Sequence, residues 1–142
     1  MATISELCDE HRKLEALAAN LLKIVAAPVA DAASVAGVRW QMAQALLDHC
    51  RGEDRAVYDR LLASGDAIAT ALAWEYRKEF GALGAAFSGY IGDWPVDRVN
   101  RNWIGFRADT QAIMALIVTR IAREERELYA HVERIEARRR AA

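Results

Sequence analysis

Three residues in the first half of the sequence, two histidines and a glutamate, are of types that can bind a metal and lie at positions that face inward. His49 and Glu53 are four positions apart, so both side chains project from one face of a helix. His11 lies on an earlier helical segment, where Leu14 and Ala18 continue its face. All three polar residues interrupt apolar stripes, and a buried polar group needs a partner. Imidazoles and carboxylates bind iron, zinc and manganese. These three residues therefore need one another, or some other group, as partners.

The second half of the sequence repeats the first with two substitutions. The segment "EHRK" is echoed by "EYRK", and "GEDRAVYDRL" is echoed by "REERELYAHV". Two echoes in the same order indicate an internal duplication, in which the second half keeps its carboxylate and loses both histidines. The aligned pairs are His11 with Tyr76, His49 with Arg120, and Glu53 with Glu124.

The elements that position these residues are helices, because the apolar residues follow a helical period almost throughout. Short connections between long helices predict an all-α, up-down-up-down four-helix bundle. We expect a single domain over residues 1–142, with halves of about 3–65 and 66–138 related by a pseudo-twofold axis. The predicted helices are helix A from Thr3 to about Ala27, helix B from Asp31 or Ser34 to Gly65, helix C from Asp66 to about Ile91, and helix D from about Val96 to Arg138.

Composition narrows the class of protein. The net charge is −1 and 54% of the residues are hydrophobic, which indicates a globular domain and argues against nucleic-acid binding. No stretch is apolar enough to predict a membrane span. Cys8 and Cys50 form no CxxC pair, and no signal peptide is evident, so we expect a cytoplasmic protein with reduced thiols.

The chain resembles the hemerythrin family, also called the HHE cation-binding domains. The resemblance rests on "DEHRKLEAL", "LLDHCRGEDRAVYDRL", "EYRKEFGAL" and "RIAREERELY". It implies a four-helix bundle that holds two irons in its core. One iron takes histidines from the first two helices, and the other takes histidines from the third and fourth. Such proteins bind oxygen, sense iron, oxygen or redox state, or handle reactive oxygen or nitrogen species.

Carried over to this chain, the resemblance assigns a complete ligand set to the first iron only. His11 and His49 would bind that iron, and Glu53 and Glu124, or the neighbouring Glu125, would bridge the two metals.

The second iron lacks its histidines. Tyr76 stands where the third helix should provide one, and Arg120 stands at the position of the fourth helix's histidine. Arginine stays protonated and does not bind metals. Its planar fork can instead pair with carboxylates. We therefore hypothesise that Arg120 occupies the place of the second metal, between Glu53 and Glu124.

Three states of the core follow from this ligand set. In the first, the core is metal-free and Arg120 pairs with the carboxylates. In the second, one metal remains on the two histidines and Glu53; ferrous iron suits such a site, and zinc or manganese would also be accepted. In the third, a full di-iron centre survives with Tyr76 and Glu79 as substitute ligands.

The resemblance and the reduced ligand set together favour a binding or sensing role over catalysis, with iron, dioxygen or redox state as the signal. The alternative is a metal-free descendant that acts as a regulatory or protein-interaction bundle, with a protein partner or a second copy of the chain. The region around Trp94 and Trp103, or the long helix D, would then provide the contact surface. A different expectation for the two tryptophans is that they cover one end of the bundle.

Overall fold

The computed structural model describes residues 2–142, and within that range every regular element is helical. The predicted all-α bundle is confirmed. The elements are α1 (Ile4–Ala26), α2 (Ala32–Glu53), π1 (Asp54–Tyr58), α3 (Asp59–Ala63), α4 (Ala67–Asp93), α5 (Val96–Arg101), α6 (Trp103–Arg123), π2 (Glu124–Tyr129) and α7 (Ala130–Ala141). Consecutive elements join into two continuous helical rods: α2, π1 and α3 form the second long helix, and α6, π2 and α7 form the fourth.

Side-chain caps determine where the helices begin. At the start of α1, the Thr3 hydroxyl accepts a hydrogen bond from the Glu6 backbone N–H at 3.1 Å, and the Glu6 carboxylate accepts from the Thr3 N–H at 2.9 Å. This is a capping box, and the segment "TISE" has the sequence pattern that predicts one. Gly65 adopts a φ of 73°, which ends the second rod. The Asp66 carboxylate then caps the first turn of α4.

The beginning of the fourth rod differs from the single helix D predicted from Val96. The chain leaves the helical conformation at Asn102, whose side chain accepts a hydrogen bond from the Gly105 N–H at 3.0 Å and starts α6 anew. An asparagine side chain competes with the helical backbone in this way, which is why it favours caps over helix interiors. Trp103, the first residue of α6, donates its indole N–H to the carbonyl of Ala27 at 2.7 Å and ties α6 to the end of α1.

The four rods pack as a ring. Helix α1 contacts α2 and α6, while α4 contacts α6 and the second rod. Two apolar clusters fill the interior, one on each side of a polar layer that holds the predicted site residues. No helix among residues 2–142 is both long and apolar enough to cross a membrane.

Trp94 and Trp103 lie in the core instead of on an exposed surface. They are 2% and 9% exposed, respectively. The Trp94 indole donates to the Asp109 carboxylate at 2.8 Å. The two rings therefore cover one end of the bundle, whereas a partner surface in the region around them stays a prediction. The exposed tryptophans of the described chain are Trp40 and Trp74.

A short π-helical turn interrupts the second rod and the fourth rod at matching places. π1 begins directly after Glu53, and π2 begins at Glu124. In a π turn, residues five positions apart lie over one another, and such turns are frequent at functional sites. Tyr58 and Tyr129 each follow a core glutamate by five residues. The echo in the sequence thus has a local structural counterpart, whereas the division of the chain into two halves stays a prediction.

Candidate metal centre

Four buried side chains from three rods meet in the polar layer of the bundle. His11 comes from α1, His49 and Glu53 from α2, and Glu124 from π2, and none is more than 2% exposed. Each offers one ligand atom, and these atoms lie within 4.8 Å of one another. The structure therefore brings together all four residues that the sequence nominated as metal ligands.

Each close contact in this group involves an imidazole Nε2 atom. His11 Nε2 lies 3.0 Å from His49 Nε2 and 2.8 Å from Glu124 Oε1. His49 Nε2 lies 2.9 Å from Glu53 Oε2 and 3.4 Å from Glu124 Oε1. We call this side of the carboxylate pair the histidine face.

Two acidic residues orient the imidazoles from behind. His11 Nδ1 donates to Glu125 at 2.7 Å, and His49 Nδ1 donates to Glu10 at 2.7 Å. A carboxylate partner on one ring nitrogen fixes the tautomer and directs the other nitrogen to a metal. Glu125, which the resemblance left as a possible bridging ligand, therefore lies behind His11, and Glu124 alone enters the core.

Each core carboxylate presents its second oxygen to the opposite side, which we call the arginine face. Arg120 Nε donates to Glu124 Oε2 at 2.5 Å, and its Nη2 lies 3.9 Å from Glu53 Oε1. Tyr58 donates its hydroxyl to Glu53 Oε1 at 2.9 Å and accepts from Arg120 Nη2 at 2.9 Å. One oxygen of each carboxylate thus faces the histidines, and the other faces the guanidinium side.

Arg120 is enclosed by α4 as well. Its guanidinium carbon lies 4.7 Å from the centre of the Tyr76 ring, and its Nη1 lies 3.6 Å from Glu79 Oε2. Nη1 makes no hydrogen bond within residues 2–142. A groove of about 340 Å³ between α4 and α6 reaches this side chain.

Tyr76 does not direct its oxygen into the core. Its hydroxyl donates to Glu127 at 2.8 Å, on the outer side of the fourth rod. Burial, followed by the hydrogen bond to Glu127, raises the pKa of Tyr76 to about 12. Glu79 pairs with Arg123 at 2.8 Å. The substitute ligands expected for a second iron are therefore not assembled, because both are held by other partners.

The sequence missed Tyr129, which lies at the centre of the histidine face. Its hydroxyl donates to Glu53 Oε2 at 2.6 Å and lies 3.2 Å from His11 Nε2. It also lies 3.4 Å from His49 Nε2 and 3.4 Å from Glu124 Oε1. The alignment of Tyr58 with Tyr129 in the internal echo was the available signal, since both tyrosines follow a core glutamate.

The protonation of the site reflects the pairing of its charges. Burial would lower the pKa of His49, but hydrogen bonds to Glu124 and Glu53 and the charges of both raise it to about 10. Burial would raise the pKa of Glu124, but hydrogen bonds from the two histidines and the charge of Arg120 hold it well below its usual range. Burial and the charge of Glu124 raise the pKa of Glu53. Without a metal, a proton on His49 therefore provides the positive charge of the histidine face.

The donor set of the histidine face fits a single cation. With both carboxylates ionised and both Nδ1 atoms protonated, the four ligand atoms carry at most two protons between them. Their four close pairs would each need one proton to form a hydrogen bond. For bonds of about 2.1 Å, neighbouring ligands lie about 3.0 Å apart in an octahedron and about 3.4 Å apart in a tetrahedron. Four of the six separations among the ligand atoms are 2.8 to 3.4 Å and match these edges, and all six are within 4.8 Å.

A second group of possible ligands shares one residue with the first. Cys8 and Glu125 lie on the Nδ1 side of His11, and one ligand atom of each residue lies within 4.8 Å of the others. Since Glu125 already accepts the Nδ1 proton of His11, this group supports the orientation of the imidazole.

Histidines and carboxylates that face one another in the core of a helical bundle are the arrangement in which such bundles bind metals. The family model of the hemerythrin HHE cation binding domain matches residues 2–132, and the chain belongs to this family. The resemblance drawn from the sequence is thus confirmed over most of the chain. No curated protein and no solved structure gives a significant match.

Proposed function

We propose that the protein holds one metal ion, iron by preference, and binds or senses a small ligand such as dioxygen or the redox state of that iron. His11, His49, Glu53 and Glu124 would hold the ion. The observation that carries the proposal is the convergence of four buried ligand atoms in a family of cation-binding domains. Two imidazoles with carboxylates and open positions form a donor set that suits ferrous iron.

The second metal position is taken by Arg120 in this proposal. Both core carboxylates turn one oxygen away from the histidines, as ligands that bridge two cations would. Arg120 and Tyr58 meet those oxygens instead. A guanidinium carries a permanent charge and five N–H donors, so it can neutralise a carboxylate pair but cannot accept a metal.

Bound iron supplies a centre that changes oxidation state and has room for a small ligand. The chain determines how that centre is held and reached. Glu10 and Glu125 keep both imidazoles turned inward, and burial of the ligand residues excludes bulk water. The groove between α4 and α6 offers a path for a small molecule as far as Arg120.

One observation favours a second candidate, a metal-free regulatory bundle. Protonated His49 and Arg120 together balance the charges of Glu53 and Glu124, so the core is electrically neutral without a metal. A protein partner or a second copy would then bind an exposed surface. Apolar side chains on α6 are available for this, among them Leu116, which is 53% exposed.

Metal content after controlled loading distinguishes the two candidates. The chelator-treated protein is loaded with ferrous iron under nitrogen, or with zinc or manganese, and the metal per chain is measured by elemental analysis after desalting. We expect one ion per chain, with His49→Gln abolishing uptake and His131→Gln retaining it. A parent protein that retains no metal after any loading, and whose melting temperature ignores chelator, would falsify the metal-binding proposal and support the bundle.

The role of Arg120 is tested by restoring histidines in the second half. Arg120→His together with Tyr76→His should raise the iron content from one to two per chain, whereas Tyr76→His alone should leave it at one. An unchanged content of one in the folded double variant would contradict the replacement of a metal by Arg120.

A further inference from the structure

The phenol oxygen of Tyr129 occupies a position that a hydrogen bond to Glu53 alone does not explain. It lies within 3.4 Å of all four ligand atoms of the histidine face. The phenol has one proton, so it can donate to one of these atoms at a time. In the other three contacts, the phenol oxygen either faces the lone pair of another acceptor or accepts a proton from an imidazole. An oxygen in this position could bind the same metal ion as the four ligand atoms around it.

Tyr58 provides an internal comparison. It also follows a core glutamate by five residues, and its hydroxyl also donates to Glu53. Its second partner is Arg120, and within residues 2–142 it makes no hydrogen bond to a histidine. Tyr58 therefore belongs to the arginine face, where the cation is a side chain, and Tyr129 belongs to the face that lacks a fixed cation.

The charges of the core favour an anionic fifth ligand when the ion is ferric. Once an ion has displaced the proton of His49, the two core carboxylates and Arg120 carry a formal charge of −1, before the charge of the ion is counted. A ferrous ion changes this to +1, and a ferric ion to +2. Loss of the phenolic proton returns the ferric core to +1, the same charge as the ferrous core with an intact phenol. Uncompensated charge is costly in a buried site. Ferric iron therefore favours loss of the phenolic proton, and ferrous iron favours its retention.

We propose that Tyr129 is the fifth ligand of the site and binds as a phenolate that favours ferric iron. This inference rests on the proposed metal-binding function and adds its ligand and its preferred oxidation state. When ferric iron is supplied, the phenol O–H bond would break and an O–Fe bond would form. The phenolic proton would be released to solvent, together with the proton that His49 carries without a metal. No electron is transferred in this step. Tyrosine serves as an iron ligand in other proteins, so the chemistry is available.

Without a metal the phenol stays protonated. The ordinary pKa of a tyrosine is about 10, which is well above neutral pH. A bound cation lowers the pKa of a phenol that it contacts, because it is the largest local charge. A phenolate signal at neutral pH therefore reports coordination.

The test uses colour, which metal content alone does not provide. The chelator-treated chain is loaded with ferric iron as its nitrilotriacetate complex, desalted, and analysed for iron, visible absorption and resonance Raman scattering. We expect a visible phenolate-to-iron charge-transfer band with phenolate vibrations in the Raman spectrum. Zinc loading should give no such band.

The chain has four tyrosines, so the ligand can be assigned by substitution. Tyr129→Phe should abolish the band, whereas Tyr58→Phe, the matched control, should retain it, as should Tyr76→Phe and Tyr90→Phe. If Tyr129→Phe fails to fold by circular dichroism, retention of the band in the other three variants assigns it by elimination.

The failures of the two proposals are distinguishable. A protein that retains no iron contradicts the proposed function. A protein that retains one iron but shows no charge-transfer band, or whose band survives Tyr129→Phe, leaves the metal site standing and overturns the assignment of Tyr129.

Discussion

The histidine face and the arginine face share the same two carboxylates but neutralise them differently. On the arginine face, Arg120 supplies a permanent cation that the chain itself carries. On the histidine face, His11 and His49 supply imidazole nitrogen atoms, and the balancing charge is the proton of His49 or, in the proposed function, a metal ion. The comparison teaches that one buried carboxylate pair can be held by a fixed charge on one side while an exchangeable charge is accommodated on the other.

Removal of the fixed charge should have the largest effect on stability. Arg120→Met leaves two buried carboxylates without their guanidinium, and breaking a buried ion pair costs about 3–5 kcal/mol. Urea unfolding of the metal-free protein measures this loss. Arg123→Met is the matched control, since Arg123 is one turn away and its side chain is 34% exposed. A loss below about 1 kcal/mol for Arg120→Met would mean that the arginine face is not held by this charge.

The exchangeable charge should make the stability of the metal-free protein depend on pH. His49 has a folded pKa of about 10 against an ordinary value of 6.5, so its stabilising contribution is complete below pH 6.5. That contribution is lost as the pH rises through about 10. The raised pKa of Glu53 acts in the same direction, because ionised Glu53 is disfavoured in the folded state.

We therefore expect the free energy of unfolding, measured by urea titration in the presence of chelator, to fall across this alkaline range. His49→Gln should flatten the decline and His131→Gln should not. Metal uptake should strengthen over the same range, since the ion displaces the His49 proton. A decline that is equally steep in His49→Gln would assign the pH dependence to another group.

The acidic partners behind the imidazoles should have a moderate effect that is confined to the histidine face. Glu10→Gln and Glu125→Gln weaken the hold on His49 and His11, and changes of this kind lower metal affinity by about 10- to 100-fold. Competition with a chromophoric chelator measures the affinity. Glu79→Gln, on the arginine face, is the control and should leave affinity within about threefold of the parent, because Glu79 binds no imidazole. Equal losses in all three variants would remove the distinction between the faces.

The smallest effect should come from the rim of the arginine face. Glu79 is half-exposed and pairs with Arg120 at 3.6 Å and with Arg123 at 2.8 Å. Ion pairs exposed to this extent contribute less than about 1 kcal/mol. Glu79→Gln should lower the free energy of unfolding by no more than that, and the effect should shrink at high salt. Glu75→Gln, on the exposed side of α4, should have no measurable effect. A larger loss for Glu79→Gln would show that Glu79 belongs to the buried network.

Much of the site could be predicted because helical periodicity and the internal echo can both be recognised from the sequence without a structure. The spacing of His49 and Glu53 placed them on one face, and the echo located Glu124 in the second half. Arg120 was placed beside the carboxylates from its position alone, and the structure has it within 2.5 Å of Glu124. Tyr76 was also placed by position, but its hydroxyl bonds to Glu127.

The tyrosines that do enter the core were missed for a physical reason. Tyr129 reaches the histidine face from a π turn, in which residues five apart overlap, whereas an α-helical reading places i and i+4 together. Whether a helix adopts such a turn depends on what the neighbouring helices pack against it. Similarly, the break at Asn102 depends on a local side-chain cap that competes with a helical sequence on both sides.

The sequence by itself determined the helical class, the capping box at Thr3, and the inward direction of His11, His49 and both core glutamates, because these follow from the spacing of residues along one helix. The tertiary structure decided which oxygen of each carboxylate faces which cation, that Glu10 and Glu125 lie behind the imidazoles, and that Tyr129 rather than Tyr76 joins the core. Those outcomes join atoms on different rods. Their distances depend on how the rods pack, which no spacing within a single helix specifies.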